Sequence, residues 1–337
     1  MKVFITGGAG YIGSHTALEL LRSGHEICVY DNFSNATPEA LARVKRLANK
    51  DFVQVSGDIR AQDDLVGAMQ AFQPDAVIHF AGVKAVGESH ADPLKYYDNN
   101  VLGSLRLLQA MDQVGCQQIV FSSSATVYGT VHYLPYDEKH PLNPTNPYGQ
   151  SKLMVERIIQ DWCAAKPQAS AVLLRYFNPA GAHESGDIGE DPSGVPNNLV
   201  PFATQVAVGR RPALQVFGND YDTADGTGER DYIHVTDLAL AHSAGLDFAS
   251  RHQGCEVFNI GTGQPYSVMQ IIQALEQVSG KPIPYALAPR RAGDIARFYA
   301  GVEKAKALLN WQAERDIVAI CDSAWQWQAQ NPQGYSA

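Results

Sequence analysis

Tyr148 and Lys152 stand four residues apart in "YGQSK", a spacing that puts a phenol and an ammonium one turn apart on a single helix face. A phenol with its ordinary pKa of ~10 is a weak base at neutral pH, and nearby positive charge is what lowers it into use. Such a pair could take the proton of a carbinol while a hydride leaves the same carbon. Spacing alone does not separate this from the first turn of a solvent-facing helix, so the partners decide. Ser124 is one candidate: it closes the run "QIVFSSS", twenty-four residues before Tyr148. A strand end of that kind lies at the carboxyl edge of an open sheet, where ligands bind.

A second cluster lies at the start of the chain. "FITGGAGYIGSH" holds Gly8, Gly10 and Gly13 in G-x-G-x-x-G register and Gly7, Gly10 and Gly13 in G-x-x-G-x-x-G register. The turn follows a predicted strand and opens a predicted helix, the setting in which glycines let the backbone approach a pyrophosphate at a helix N-terminus. A purely structural turn is the alternative. Asp31 ends the next strand in "VYDN", eighteen residues after Gly13, placed to accept hydrogen bonds from the ribose hydroxyls of NAD and to repel the extra phosphate of NADP. NAD is therefore the expected cofactor. Asp58 and Ile59 in "SGDIR" are placed to meet the adenine, although an Asp there is also a common helix N-cap.

Positioning these groups requires a sheet. "KVFIT", "EICVY", "FVQV", "AVIHFAG", "QIVFSSS" and "AVLLRYF" alternate with amphipathic stretches, which predicts an α/β fold with a doubly wound, mostly parallel (Rossmann-type) sheet. "IGSHTALELLRSG" closes on Gly24 and reads as the first crossover helix. Two longer helices are predicted from Pro93 to Val114 and from Pro147 to Ala165, each with Pro near its start. After Phe177 the chain turns to long Gly, Asn, Pro and Asp segments with few strand signals, and loops of that length are usually functional. "VFNIG" at 257–261 reads as a strand returning to the sheet. The expected division is a dinucleotide domain over 1–177, with 231–262 returning to it, and a smaller interleaved substrate lobe over 178–337.

Composition narrows the function. Hydrophobic content of 45% with 18% charged residues suits a soluble protein with a sizeable core, and a net charge of −9 argues against nucleic acid as the main partner. Cys28, Cys116, Cys163, Cys255 and Cys321 show no metal spacing and suit free thiols in a reducing compartment. No histidine pattern suggests a metal, so none is expected, and structural or exposed roles are expected for His79 and His234. The N-terminus lacks a signal-like apolar stretch, and no uncharged run of about 18 residues offers a membrane span. The expected location is the cytoplasm, where the N-glycosylation patterns at Asn32 and Asn35 are chance matches.

Taken together, the glycine turn, Ser124, Tyr148 and Lys152 resemble the extended short-chain dehydrogenase/reductase superfamily. "TGGAGYIGSH", "HFAGVKAVGES", "YYDNNV", "FSSSATVYG", "YGQSKLMVE", "LRYFNPAGAH", "GEDPSGVPNNL", "VFGNDY", "DGTGERDYIHV" and "APRRAGD" resemble, almost end to end, its bacterial-type UDP-glucose 4-epimerase family. The resemblance implies interconversion of UDP-glucose and UDP-galactose in galactose metabolism, through C4 oxidation to a bound 4-keto-sugar, rotation and re-reduction. Tyr148 would be the base, assisted by Lys152 and by the oxidised nicotinamide. Lys152 would also bond the nicotinamide ribose, and Ser124 the reacting oxygen.

By the same resemblance the cofactor would be lined by Gly7, Gly10, Tyr11, Ile12, Gly13, Asp31, Asn32, Asp58, Ile59, Phe80, Ala81, Gly82, Lys84, Asn99 and Phe177, together with the three catalytic residues. Arg230 and Arg291 would hold the diphosphate, Asp294 the uridine ribose, and Asn178, Asn198, Leu199 and Phe217 the rest of the UDP-sugar. Phe298, near the sugar's C2 substituent, would favour UDP-glucose and UDP-galactose over N-acetylated forms. A homodimer joined through the two long helices is also implied.

Gln150 departs from the basic residue common at its position, and is expected to face away from the reaction. Two rivals stay open. A nucleotide-sugar 4,6-dehydratase needs an acidic pair just after the strand-end hydroxyl, where Ala125 and Thr126 stand. A non-catalytic NAD-sensing protein would be free to lose the Tyr/Lys pair, Ser124 or the arginines, and all are present.

Overall fold

A computed structural model describes residues 1–192, 194–291 and 293–335. Ser193 and Ala292, inside two of the motifs quoted above, and the last two residues of the expected second lobe lie outside the described residues. The first half runs β1 (Lys2–Thr6), α1 (Tyr11–Arg22), β2 (Glu26–Asp31), α2 (Pro38–Ala48), β3 (Val53–Ser56), α3 (Gln62–Phe72), β4 (Ala76–His79), α4 (Val86–Ala91), α5 (Pro93–Tyr96), α6 (Gly103–Val114), β5 (Gln118–Ser122), α7 (Pro147–Ala164) and β6 (Ser170–Tyr176). A π-helical turn, Tyr97–Leu102, joins α5 to α6. The single helix predicted over 93–114 is thus three pieces.

The second half adds β7 (Asn178–Ala180), α8 (Leu199–Ala207), β8 (Leu214–Phe217), β9 (Glu229–His234), α9 (Val235–Ala249), β10 (Gly254–Ile260), β11 (Pro265–Ser267), α10 (Val268–Ser279), β12 (Tyr285–Ala288), β13 (Arg297–Phe298) and α11 (Ile317–Gln330). Six of these are strands of two to six residues in a stretch whose sequence shows few strand signals. They are too short for alternation to register, and Arg230 and Asp231 sit inside one of them.

Seven parallel strands form the main sheet in the order β10-β6-β5-β4-β1-β2-β3, the doubly wound architecture predicted from the alternation. Successive residues of one strand enter opposite layers. Val3 and Ile5 face a core shared with α1, α2 and α9, whereas Phe4 faces a core shared with α3, α6 and α7. Burial on both faces explains why these strands read as continuous apolar runs. The strand order reverses between β1 and β4, so their carboxyl ends open a crevice where such folds bind ligands.

The smaller strands form separate sheets. β9 pairs with β7, β11 and β13, while β8 pairs with β12. Because β9 belongs to the small sheet, the return expected from residue 231 starts at Val235, with α9 on the main sheet and β10 beside β6.

Candidate active site

The glycine turn lies at the reversal point. Gly7 has φ of +70°, and a Cβ there would stand 2.6 Å from the Ala81 nitrogen, so the loops after β1 and β4 touch at a residue with no side chain. A Cβ at Gly13 would stand 2.4 Å from the Gly7 carbonyl oxygen. Gly10 occupies the N-cap of α1 and supplies no capping side chain. The first turn of the helix, with Tyr11, Ile12 and Gly13, therefore presents N–H groups suited to an anion. Ile12 packs on the core below, while the Tyr11 hydroxyl donates to the Gly181 carbonyl at 2.6 Å, tying the turn to the second half of the chain.

Asp31 is buried behind the turn, one oxygen accepting from Ala9 N at 3.0 Å and the other from Phe33 N at 2.9 Å. Burial pushes its carboxyl up, opposed by those two bonds. Lone pairs remain for hydroxyl donors. This cradle, with a carboxylate beside backbone donors that only glycine permits, fits a dinucleotide. Asn32 donates to Asp58 at 3.1 Å, and Arg60 grips the same carboxylate at 2.9 and 2.8 Å, holding it down at about 2. Asp58 is thus already engaged. The Ile59 side chain is buried against Gly103, which commits it to packing.

After β4, Phe80 stacks near His242 with centroids 4.6 Å apart, and Gly82 approaches Asn100. Lys84 pairs with Glu190 at 3.3 Å, and Asn198 donates to the same oxygen at 3.1 Å. Lys84, expected on the cofactor side, and Asn198, expected on the substrate side, thus meet on Glu190, which lies within the quoted segment "GEDPSGVPNNL" but was not singled out there. Asn99 donates to the Lys95 carbonyl inside its own helix. Its neighbour Asn100, also passed over, is the buried link: it bonds Val83 N at 2.8 Å, the Val83 carbonyl at 3.1 Å and Ser151 Oγ at 2.9 Å. The π turn that carries both is a common mark of functional sites.

Ser124, Tyr148 and Lys152 converge where β5 ends against α7. All three are buried, with Ser124 close enough to Tyr148 to oppose the rise of its phenol. Lys152 Nζ donates to the Ser122 carbonyl at 2.8 Å and lies 4.8 Å from the Phe121 ring centre. Asn146 caps α7 through Gly149 N at 2.8 Å, and Pro147 follows it, so the helix starts one residue before the tyrosine.

Burial pushes the Tyr148 phenol above its ordinary value, with Tyr176 and Tyr96 adding to the rise and Ser124 opposing it. Burial also lowers Lys152, to about 8, opposed by Glu156.

On the other side, Arg230 donates to the Glu229 and Ile295 carbonyls at 2.9 Å and approaches Asp294 at 3.7 Å. Arg291 meets Asp294 at 2.8 Å and lies over the Phe217 ring at 5.0 Å. Two guanidinium groups around one carboxylate leave positive charge to spare, apt for a diphosphate. Phe177 and Phe298 pack with centroids 4.8 Å apart, and Phe298 lies 4.8 Å edge-on to Tyr136. Asn178 opens β7 beside them, and Leu199 starts α8 on the core of the second lobe. His79 bonds Thr6 Oγ1 at 2.7 Å and Ser104 Oγ at 2.8 Å, whereas His234 caps α9. Among the described residues no three His, Cys, Asp or Glu side chains could hold a metal ion.

A family model described as NAD dependent epimerase/dehydratase family matches residues 3–261. The chain is 52% identical over 337 residues to UDP-glucose 4-epimerase of Bacillus subtilis (strain 168), covering 100% of this chain and 99% of that one. It is 53% identical over 341 residues to UDP-glucose 4-epimerase of Homo sapiens, with 99% and 98% covered. The crystal structure of UDP-glucose 4-epimerase from Bifidobacterium longum in complex with NAD+ and UDP superposes with a TM-score of 0.96 at 50% identity, covering 99% of this chain and 100% of that one.

Proposed function

The chain belongs to the NAD dependent epimerase/dehydratase family, and from that premise we propose that Tyr148, Lys152 and Ser124 carry out the proton chemistry of its reaction. It is an isomerase that interconverts UDP-glucose and UDP-galactose with NAD as cofactor. The observation that carries the residue assignment is the burial of Tyr148 and Lys152 on one face of α7, which Lys152 Nζ ties at 2.8 Å to the Ser122 carbonyl at the strand end that bears Ser124.

When bound, NAD takes up a hydride from C4 of the sugar and gives it back after the sugar has turned. The remaining work falls to this chain. Tyr148 oxygen takes the C4 hydroxyl proton, leaving a C4 ketone, and returns a proton to the oxygen when the opposite face is reduced. Ser124 donates to that oxygen and keeps it within reach of Tyr148. Lys152 spends one donor on the Ser122 carbonyl and has two left for the nicotinamide ribose. Gly7, Gly10 and Gly13 hold the pyrophosphate, and Asp31 the ribose diol. Arg230 and Arg291 anchor the substrate diphosphate while the ketose swings, and Phe298, braced by Tyr136 and Phe177, bounds the sugar at C2. A dehydratase would need carboxyls after Ser124, where Ala125 is buried and Thr126 bonds Ser124 at 2.9 Å.

Incubation with UDP-galactose and no added NAD should yield UDP-glucose. Tyr148→Phe should lower kcat at least ~10²-fold with NAD content unchanged; full activity would overturn the assignment. UDP-N-acetylglucosamine should turn over far more slowly than UDP-glucose, and equal rates would refute the role given to Phe298.

The outer face of α7, where Gln150, Leu153, Met154, Arg157 and Ile158 border a groove with Val101, is the surface for a homodimer. Sedimentation should give twice 36.6 kDa, and Met154→Asp should give a monomer. The five free thiols, four of them buried, support a cytoplasmic location. Among the described residues no helix is long and apolar enough to cross a membrane.

A further inference from the structure

Directly beneath the candidate catalytic residues lies an ion pair that the proton chemistry above does not use. Glu156 and Arg175 side chains are 1% and 3% exposed. Their fork is bidentate, with Arg175 Nε on Glu156 Oε1 at 2.9 Å and the second nitrogen on Oε2 at 2.6 Å. Glu156 also accepts from Ser123 Oγ at 2.5 Å. Arg175 continues to Tyr128 Oη at 3.2 Å, and Tyr128 donates to Asn259 at 2.5 Å. The chain of bonds therefore runs from β10 through β6 to α7 and back to the end of β5.

Packing alone does not call for these charges. Desolvating two ions costs as much as a buried pair returns, and apolar residues of similar volume would hold the same elements together as well. What the pair does specify is register. Glu156 lies one turn after Lys152 and two after Tyr148, so all three share one face of α7. Ser123 immediately precedes Ser124, whose backbone is extended at φ −153° and ψ 144°, so successive side chains diverge. Ser123 turns to Glu156, and Ser124 turns to Tyr148. Two clamps one turn apart, Lys152 on the Ser122 carbonyl and Glu156 on the Ser123 hydroxyl, fix the strand end against the helix.

We propose that Glu156, held in place by Arg175, is a positioning residue that sets Ser124 against Tyr148 and Lys152; this rests on the assignment of those three residues given above. The same carboxylate has an electrostatic effect. It opposes the burial that lowers Lys152 to about 8. The other groups around Lys152 are Tyr148 on its own helix, His79 on β4, neutral and lowered to about 3, and Tyr176 on β6, with Arg175 behind Glu156. Tyr96 faces Tyr148 from α5. Glu156 is the anion in this set, so neutralising it lowers Lys152 further and brings the loss of its charge to lower pH.

The test uses the full-length holoprotein. Ser123→Ala should lower kcat about tenfold with KM and melting temperature near wild type, and Ser123→Thr, which keeps the hydroxyl, should restore it. Glu156→Gln combined with Arg175→Met removes both charges while leaving no unpaired ion. It should fold, lose turnover, and move the alkaline limb of kcat to lower pH. If the double variant does not fold, the serine pair decides alone. Full activity of Tyr148→Phe would sink the underlying assignment instead. An inactive Tyr148→Phe alongside wild-type kcat and an unmoved alkaline limb in the serine and double variants would overturn this inference specifically.

Discussion

Gly13 shows how much a single residue can carry. In an open helix, Gly to Ala stabilises by about 1 kcal/mol, but here the added methyl would stand 2.4 Å from the Gly7 carbonyl and 2.7 Å from Gly8 Cα. Gly13→Ala should therefore reverse that sign. The expected outcome is NAD lost on purification, read by extraction and ultraviolet absorbance, and stability lower by about 2 kcal/mol in urea. Retained cofactor with raised stability would show that the turn yields. Type and spacing alone mark Gly13, Asp31, Ser124 and the Tyr148/Lys152 pair in the sequence as candidates, and the last three are the ones that β5 and α7 bring together. The direction of the Tyr148 shift is not marked there. It comes chiefly from burial, with Tyr176 and Tyr96 adding to it from β6 and α5, and no local pattern announces that packing.

Elements position those residues through a few buried polar joints. Asn100 is the joint between the loop after β4, the π turn and α7. Asn100→Ala leaves the Val83 N–H and carbonyl and the Ser151 hydroxyl short of partners. It should lower stability by about 2 kcal/mol and weaken NAD binding, by calorimetric titration, more than it changes the KM of the UDP-sugar. Equal effects on both would mean that the joint supports the whole site. The long parallel strands of the main sheet could be read from sequence because burial on both faces leaves β-branched runs. The small sheet could not. β9 holds its place through Asp231, which accepts from Thr262 N at 2.8 Å, Gly263 N at 2.9 Å and Ala300 N at 3.1 Å. A buried carboxylate tying its strand to two other segments looks, in sequence, like a polar turn.

At the scale of the whole molecule, a set of buried histidines makes stability depend on pH. His15 in α1, His79 in β4, His234 at the start of α9 and His242 within it are all lowered by burial, to about 3, 3, 3 and 4. The unfolded chain protonates such groups near 6.5, whereas the folded one does not until far lower pH. Their contribution to stability is thus fully present above 6.5 and is lost as pH falls from 6.5 toward 3 to 4, the window in which the unfolded state binds more protons. By pH 5.5 the unfolded chain has largely protonated all four and the folded one has not, so stability should be lower by on the order of a few kcal/mol. Asp31 and Asp231, pushed up by burial, bind protons in the folded state and offset part of this at the acid end. Urea unfolding at pH 7.5, 6.5 and 5.5 should show a midpoint that falls modestly over the first step and about three times as far over the second. His79→Asn should flatten the drop by about a quarter, since His79 contributes one of four similar shares, and a midpoint unmoved between pH 7.5 and 5.5 would mean that the histidines are not held neutral by the fold.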